Sequence, residues 1–261
     1  MGGSTGEGKP VIRIDTSDIL GTADRLRLQV AADGHPEILS IALQFARLAA
    51  ETHRQNPSGR AFALSILCVL HRTHAARGGG VTALREAVGA GREACDLAAS
   101  APRLRERCKS ALATALLDLH CQEPSLAVLD EAVALSRQVV DTTDPDDVEY
   151  AGMLGNLANA LLVASDARDD LALLDESIVV TRSALWELAS GDDRIVMLST
   201  SLASALWQRI VMTKSVSVAA LREAQAHAHA AVRHMPPSNP QRASVLQLAA
   251  TIDQAVAMLQ D

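Results

Sequence analysis

The chain has 261 residues, 48% of them apolar, and a formal net charge of −7. That length admits one or two ordinary domains or one extended repeat array. The acidic balance argues against a nucleic-acid partner, which needs a concentrated basic surface to displace counterions. The aromatics Phe45, Phe62, Tyr150, Trp186 and Trp207 are too few for a sandwich or barrel.

Most of the apolar content is Ala, Leu and Val, and Ala and Leu are the strongest helix formers, so an all-α class is expected. Lys appears only at positions 9, 109 and 214, leaving Arg to carry nearly all the positive charge. With the Ala richness, this is the composition of a protein from a high-GC bacterium.

An internal repeat organises the apolar pattern. Leu39, Leu84, Leu129, Leu174 and Leu221 recur at steps of 45, 45, 45 and 47 residues. Three places after each comes a small residue: Ala42, Ala87, Ala132, Ser177 and Ala224. Eight places after the Leu stand Arg47, Arg92, Arg137 and Arg182, with His229 last. Apolar residues at i, i+3 and i+4 make one stripe on an α-helix, called helix B of each unit. A second set with the same period defines helix A: Leu67, Leu112, Leu157, Leu202 and Ala249, followed by Cys68, Ala113, Ala158, Ala203 and Ala250. Small side chains in that column let helices approach closely.

In chain order, the Gly-rich start is expected to be disordered or extended over residues 1–16. It lacks the pattern of a secretory signal, and no apolar run approaches the roughly 20 residues of a membrane span. A cytoplasmic protein is therefore expected. Five A/B hairpins follow at about 17–53, 58–98, 103–142, 147–189 and 193–235, then a lone helix at about 240–260, all in one repeat domain over residues 17–261. Pro36, Pro57, the triplet Gly78, Gly79 and Gly80, Pro102, Pro124, Pro145 and Gly191 fall between helices as breakers. Ser100, Ser125 and Asp147 are candidate N-caps. Stacking covers the apolar faces that no hairpin buries alone. Asp253 and Gln254 replace apolar positions on the last helix, which suits a cap, and the short VIRID run at Val11 is a candidate cover for the other end.

The segment AGMLGNLANALL resembles a tetratricopeptide (TPR) repeat. Leu154 and Gly155 match that family's Leu-Gly pair, while Ala158 stands where a large aromatic is usual and the 45-residue period exceeds the usual 34. With LDEAV at residues 129–133, the chain looks like the long TPR-like arrays of actinobacteria, which often precede CHAT protease domains. The resemblance implies a right-handed α-solenoid with the A helices lining a concave surface. The protease's His and Cys signature is not seen, so no protease activity carries over.

The family register places Phe62, Ile66, Val69, Arg107, Ala111 and Thr114 toward that groove. Glu149, Gly152, Asn156 and Asn159 follow, then Arg194, Met197, Ser201 and Ser204, and finally Ser244, Leu248 and Thr251. From these, the candidate peptide-binding residues are Arg107, Thr114, Asn156, Asn159, Arg194, Ser201 and Ser204. Amides and hydroxyls suit the backbone of an extended peptide, and an arginine suits a carboxylate or phosphate. The Arg column reads instead as a solvated ion-pair lattice, with Asp130 and Asp175 seven residues before Arg137 and Arg182 and with recurring Glu86, Glu131, Glu176 and Glu223. Cys68, His71 and His74 lack the converging geometry of a zinc site. Cys95, Cys108 and Cys121 lack an evident base, and the thiols are expected to be buried. Trp186 and Trp207 are expected to pack between repeats.

No metal, cofactor or catalytic set is expected. The leading reading is a non-enzymatic scaffold for a peptide or partner protein, an adaptor or sensor in a bacterial signalling or defence assembly. The alternative is a secondary-metabolism enzyme or small-molecule-binding protein with its site in the superhelix cavity. Self-assembly into a homo-oligomer, with array ends stacking head to tail, is a third.

Overall fold

The structure is a computed structural model that describes residues 18–33, 36–189, 191–237, 239 and 241–259. Among them are eleven α-helices and no strand. The A helices are α1 (Ile19–Asp33), α3 (Pro57–His74), α5 (Pro102–Gln122), α7 (Tyr150–Arg168), α9 (Arg194–Thr213) and α11 (Arg242–Ala257). The B helices are α2 (Pro36–Thr52), α4 (Gly80–Leu97), α6 (Leu126–Thr142), α8 (Leu171–Trp186) and α10 (Val218–His234). The hairpins and the lone last helix thus fall where the apolar pattern places them. The chain divides into two compact units, Met1–Cys108 and Lys109–Asp261. The expectations for residues 1–16 and for the VIRID run lie outside the described residues.

Local chemistry sets the helix ends. Asn56, Ser125, Asp170 and Ser217 each accept a hydrogen bond from a backbone N–H of the first turn that follows, satisfying a donor the helix leaves orphaned. Of the candidate caps, Ser125 takes that role. The Asp147 carboxylate accepts from the Glu149 N–H just before α7, at 2.9 Å. Between α3 and α4 the chain makes a five-residue π-helical segment, Ala75–Gly79. Gly78 and Gly80 there have φ of 105° and 59°, which side chains rarely adopt.

The repeating columns are core. Leu39, Leu84, Leu129, Leu174 and Leu221 are all buried, as are the small residues that follow each. Leu67, Leu112, Leu157, Leu202 and Ala249 are buried as well. In the second helix A column Cys68, Ala113, Ala158 and Ala203 are buried, but Ala250 is exposed. No later helix among the described residues covers that side of α11.

In the first unit, α1 packs on α2 and α3, joining Leu26 and Val30 to Ile38, Leu39, Leu64 and Leu67. In the second, Leu202, Leu206 and Ile210 of α9 pack with Leu174 and Ile178 of α8, Leu221 of α10 and Ile252 of α11. Helix α9 is long and apolar enough to cross a membrane by length and composition, contrary to the expectation for the sequence. Its buried leucines make it a central core helix of this unit. The Asp253 carboxylate of α11 receives the Gln225 amide at 2.7 Å and stands 3.0 Å from His229 Nε2. The two departures from the helix B columns therefore share one partner.

Two packing expectations fail. Trp207 packs half-buried against the core of the second unit, whereas Trp186 is 87% exposed. Trp186 is the last residue of α8, where Ala184 and Leu185 pack against the core and the final position points away. Among the thiols Cys68 and Cys108 are buried and Cys95 is half-buried, but Cys121 is exposed at the end of α5. Burial pushes the Cys108 thiol up to about 12, leaving it inert as a nucleophile near neutral pH.

Candidate functional site

Six of the seven candidate residues belong to the second unit: Thr114 on α5, Asn156 and Asn159 on α7, and Arg194, Ser201 and Ser204 on α9. Leu154, Leu157, Ala158 and Leu161 of α7 turn inward, leaving Gly152, Asn156 and Asn159 on the opposite stripe. On α9, burial of Leu198, Leu202, Ala205 and Leu206 leaves Met197, Ser201 and Ser204 on the matching stripe.

One contact joins α5 to α7 on this face. The Asn156 side-chain amide donates to the Ser110 hydroxyl at 3.2 Å. Ser110 lies four residues before Thr114 and is not among the candidates, although that spacing places both on one side of α5. Asn156 keeps its second N–H and its carbonyl oxygen for another partner, and exposed Asn159 stands one turn further on. Thr114 donates its hydroxyl to the carbonyls of Ser110 and Ala111, both at 3.0 Å, and so offers only lone pairs outward.

Arg194 joins α7 to α9. Its guanidinium takes Asp192 in a two-pronged pair, Nε to Oδ1 at 3.0 Å and Nη2 to Oδ2 at 2.8 Å. That pair holds the Asp192 carboxyl down to about 2. A side chain at Gly152 would begin 3.2 Å from Arg194 Nη1, so the glycine makes room for the arginine to lie on α7. Arg194 is thus already neutralised and has one edge left for an incoming group.

Arg107 belongs to the first unit and is likewise engaged. Its guanidinium stacks 4.5 Å over the Phe62 ring and pairs with Asp24 at 3.2 Å. Asp24 also receives Arg27 at 2.8 Å, so two cations share one carboxylate oxygen. Ile66 and Ala111, expected on the groove, are buried. The family register sets them one turn from positions that do face outward, but here helix packing claims them.

The Arg column forms the expected lattice in the second unit. Arg137 pairs with Glu176 at 2.6 Å, and Arg182 grips Glu223 through two contacts of 2.8 and 2.7 Å. Asp130 and Asp175 do not meet Arg137 and Arg182. They pair with Arg168 and Arg209 of the A helices instead. His71 is buried with Nδ1 2.9 Å from Glu86, and burial lowers its pKa against the pull of that carboxylate. No group of three or more metal-ligating side chains converges among the described residues.

No protein-family model matches the sequence, and no curated protein does. Solved structures do match the fold. A thermophilic TPR protein of Thermus thermophilus superposes with a TM-score of 0.56 at 19% identity, over 91% of this chain and 99% of its own. TPR-like repeats of a kinesin-light-chain-like protein of Podospora anserina give 0.53 at 16% identity, over 85% and 100%. BtubC of P. vanneervenii gives 0.51 at 16% identity, over 90% and 85%. The chain has the fold of TPR-like helical-repeat proteins.

Proposed function

We propose that the protein is a non-enzymatic scaffold that holds an extended peptide or a partner protein on the polar A-helix face of its second unit. The contact between Asn156 and Ser110 carries the reading. It joins two successive A helices side by side and fixes an amide that has a second N–H and a carbonyl oxygen left to bond a partner. An extended backbone offers alternating N–H and C=O groups that such an amide can take in pairs. Asn159, Ser201 and Ser204 continue the row of polar groups, and the free edge of Arg194 suits a carboxylate at one end of it. The resemblance to long actinobacterial arrays supports an adaptor or sensor role in a bacterial signalling or defence assembly.

The test is affinity capture from the lysate of the source organism with the wild-type chain and with Asn156→Ala/Asn159→Ala. A partner retained by the wild type and lost by the double variant is the expected result. Equal recovery by both chains would remove binding from this face.

A further inference from the structure

Two of the most exposed large apolar side chains of the second unit stand at successive interhelical turns. Trp186 is 87% exposed and Val148 80% exposed. Trp186 ends α8, and Val148 lies in the turn between α6 and α7. These turns adjoin. Val140 of α6, Tyr150 and Leu154 of α7, Leu185 of α8 and Leu198 of α9 share one apolar cluster beneath them. A side chain at Gly152 would begin 3.2 Å from Arg194 Nη1 and 4.0 Å from Glu149 Oε2, so residues flanking the two turns come together there.

The two turns themselves are mostly acidic, although Arg182, paired with Glu223, lies one helical turn before Trp186. The first turn carries Asp141, Asp144, Asp146, Asp147 and Glu149 with no cation from position 139 to 150. The second carries Glu187, Asp192 and Asp193, and its one cation, Arg194, is paired with Asp192 through Nε and Nη2. Carboxylates concentrated in this way attract a basic partner and repel an acidic one. An exposed indole adds a face on which a Lys or Arg side chain stacks, and Trp is a common anchor at interfaces.

We infer that this end of the second unit is a docking surface for a basic protein segment, one that sets Lys or Arg side chains against the carboxylates and the Trp186 ring and an apolar side chain against Val148. The surface meets the Asn156 face at Arg194, but Trp186, Val148, Asp146 and Asp147 are not on that face, so variants at these residues and at Asn156 and Asn159 test the two proposals separately. A second copy of the chain is the competing occupant, because residues 103–109 carry Arg103, Arg105, Arg107 and Lys109.

The test selects from a display library of random dodecapeptides on the immobilised full chain at low salt, then measures the enriched peptides in solution. Expected are sequences with several Lys or Arg and one aromatic or large aliphatic residue. Trp186→Ala and Asp146→Asn/Asp147→Asn should each weaken them about tenfold, a difference of about 1.4 kcal/mol. About 0.5 M NaCl, where screening acts within about 4 Å, should weaken them further. Asn156→Ala/Asn159→Ala should leave them unchanged. Enrichment without basic residues, or equal affinity for the Trp186→Ala chain, overturns the proposal. So does self-association of the wild-type chain in light scattering that Trp186→Ala abolishes, since it would make a second copy the occupant.

Discussion

Replacing Leu202 by Ala tests whether the repeated helix A leucine holds the second unit together. Leu202 has no exposed surface and packs with Leu174 and Ile178 of α8, Leu206 on its own helix, Leu221 of α10 and Ile252 of α11. Leu→Ala removes three carbons, and at about 0.8 kcal/mol for each the transfer loss alone is about 2.4 kcal/mol. Elements on four helices surround the site and cannot all close in, so part of the vacated volume stays empty and raises the cost to about 3–4 kcal/mol. Both tryptophans, Trp186 and Trp207, belong to this unit, so intrinsic fluorescence follows its unfolding while far-UV circular dichroism follows every helix. With a urea slope of about 2 kcal/mol per molar, the fluorescence midpoint should fall by about 1.5 M. Leu202→Met, which nearly conserves volume, should cost less than about 1.5 kcal/mol. A loss below about 0.5 kcal/mol for Leu202→Ala is surface behaviour and would refute the packing argument.

Three further outcomes follow from the same geometry. Trp186→Ala should change stability by less than about 0.5 kcal/mol, because the indole touches little, and a larger loss in urea titration would show that it packs. A double-mutant cycle on Arg182 and Glu223, both partly solvated, should give a coupling of about 0.5 kcal/mol that shrinks in high salt, and a salt-independent coupling above about 2 kcal/mol would contradict their exposure. The His71 pKa is lowered by burial in the fold, so the unfolded chain binds its proton first as pH falls. The stability from keeping this ring neutral is present above about pH 6.5 and declines as the pH drops toward the folded value, by at most about 1.4 kcal/mol per pH unit. His71→Gln should flatten that part of the stability profile, and an unchanged slope would show that His71 does not cause it.

The helices were legible because the evidence for them is periodic and local. A leucine and a small residue recurring at steps of 45 to 47 positions specify which side of each helix is inside. Side-chain partners across helices were less legible, because the axial offset between two packed helices is not written in either one. Asp130 illustrates the point: Arg137 lies on its own helix, yet it meets Arg168 of α7. Asn156 stood out from its own helix, but its partner Ser110 depends on how α5 and α7 settle together. Ile66 and Ala111 fit the family's outward positions in register and still fell into the core. Trp186 reversed an otherwise sound expectation, since a large aromatic is usually buried and only its place on the last turn of α8 leaves it outside.

Site-specific photocrosslinking tests the account most directly. A benzophenone side chain at Asn159 places the reactive group on the polar A-helix face, while one at exposed Arg222 places it on the B helix α10. Irradiation in lysate should yield a partner adduct from position 159 and none from 222. Adducts from 222 with none from 159 would put the partner on the B helices and contradict the proposed binding face.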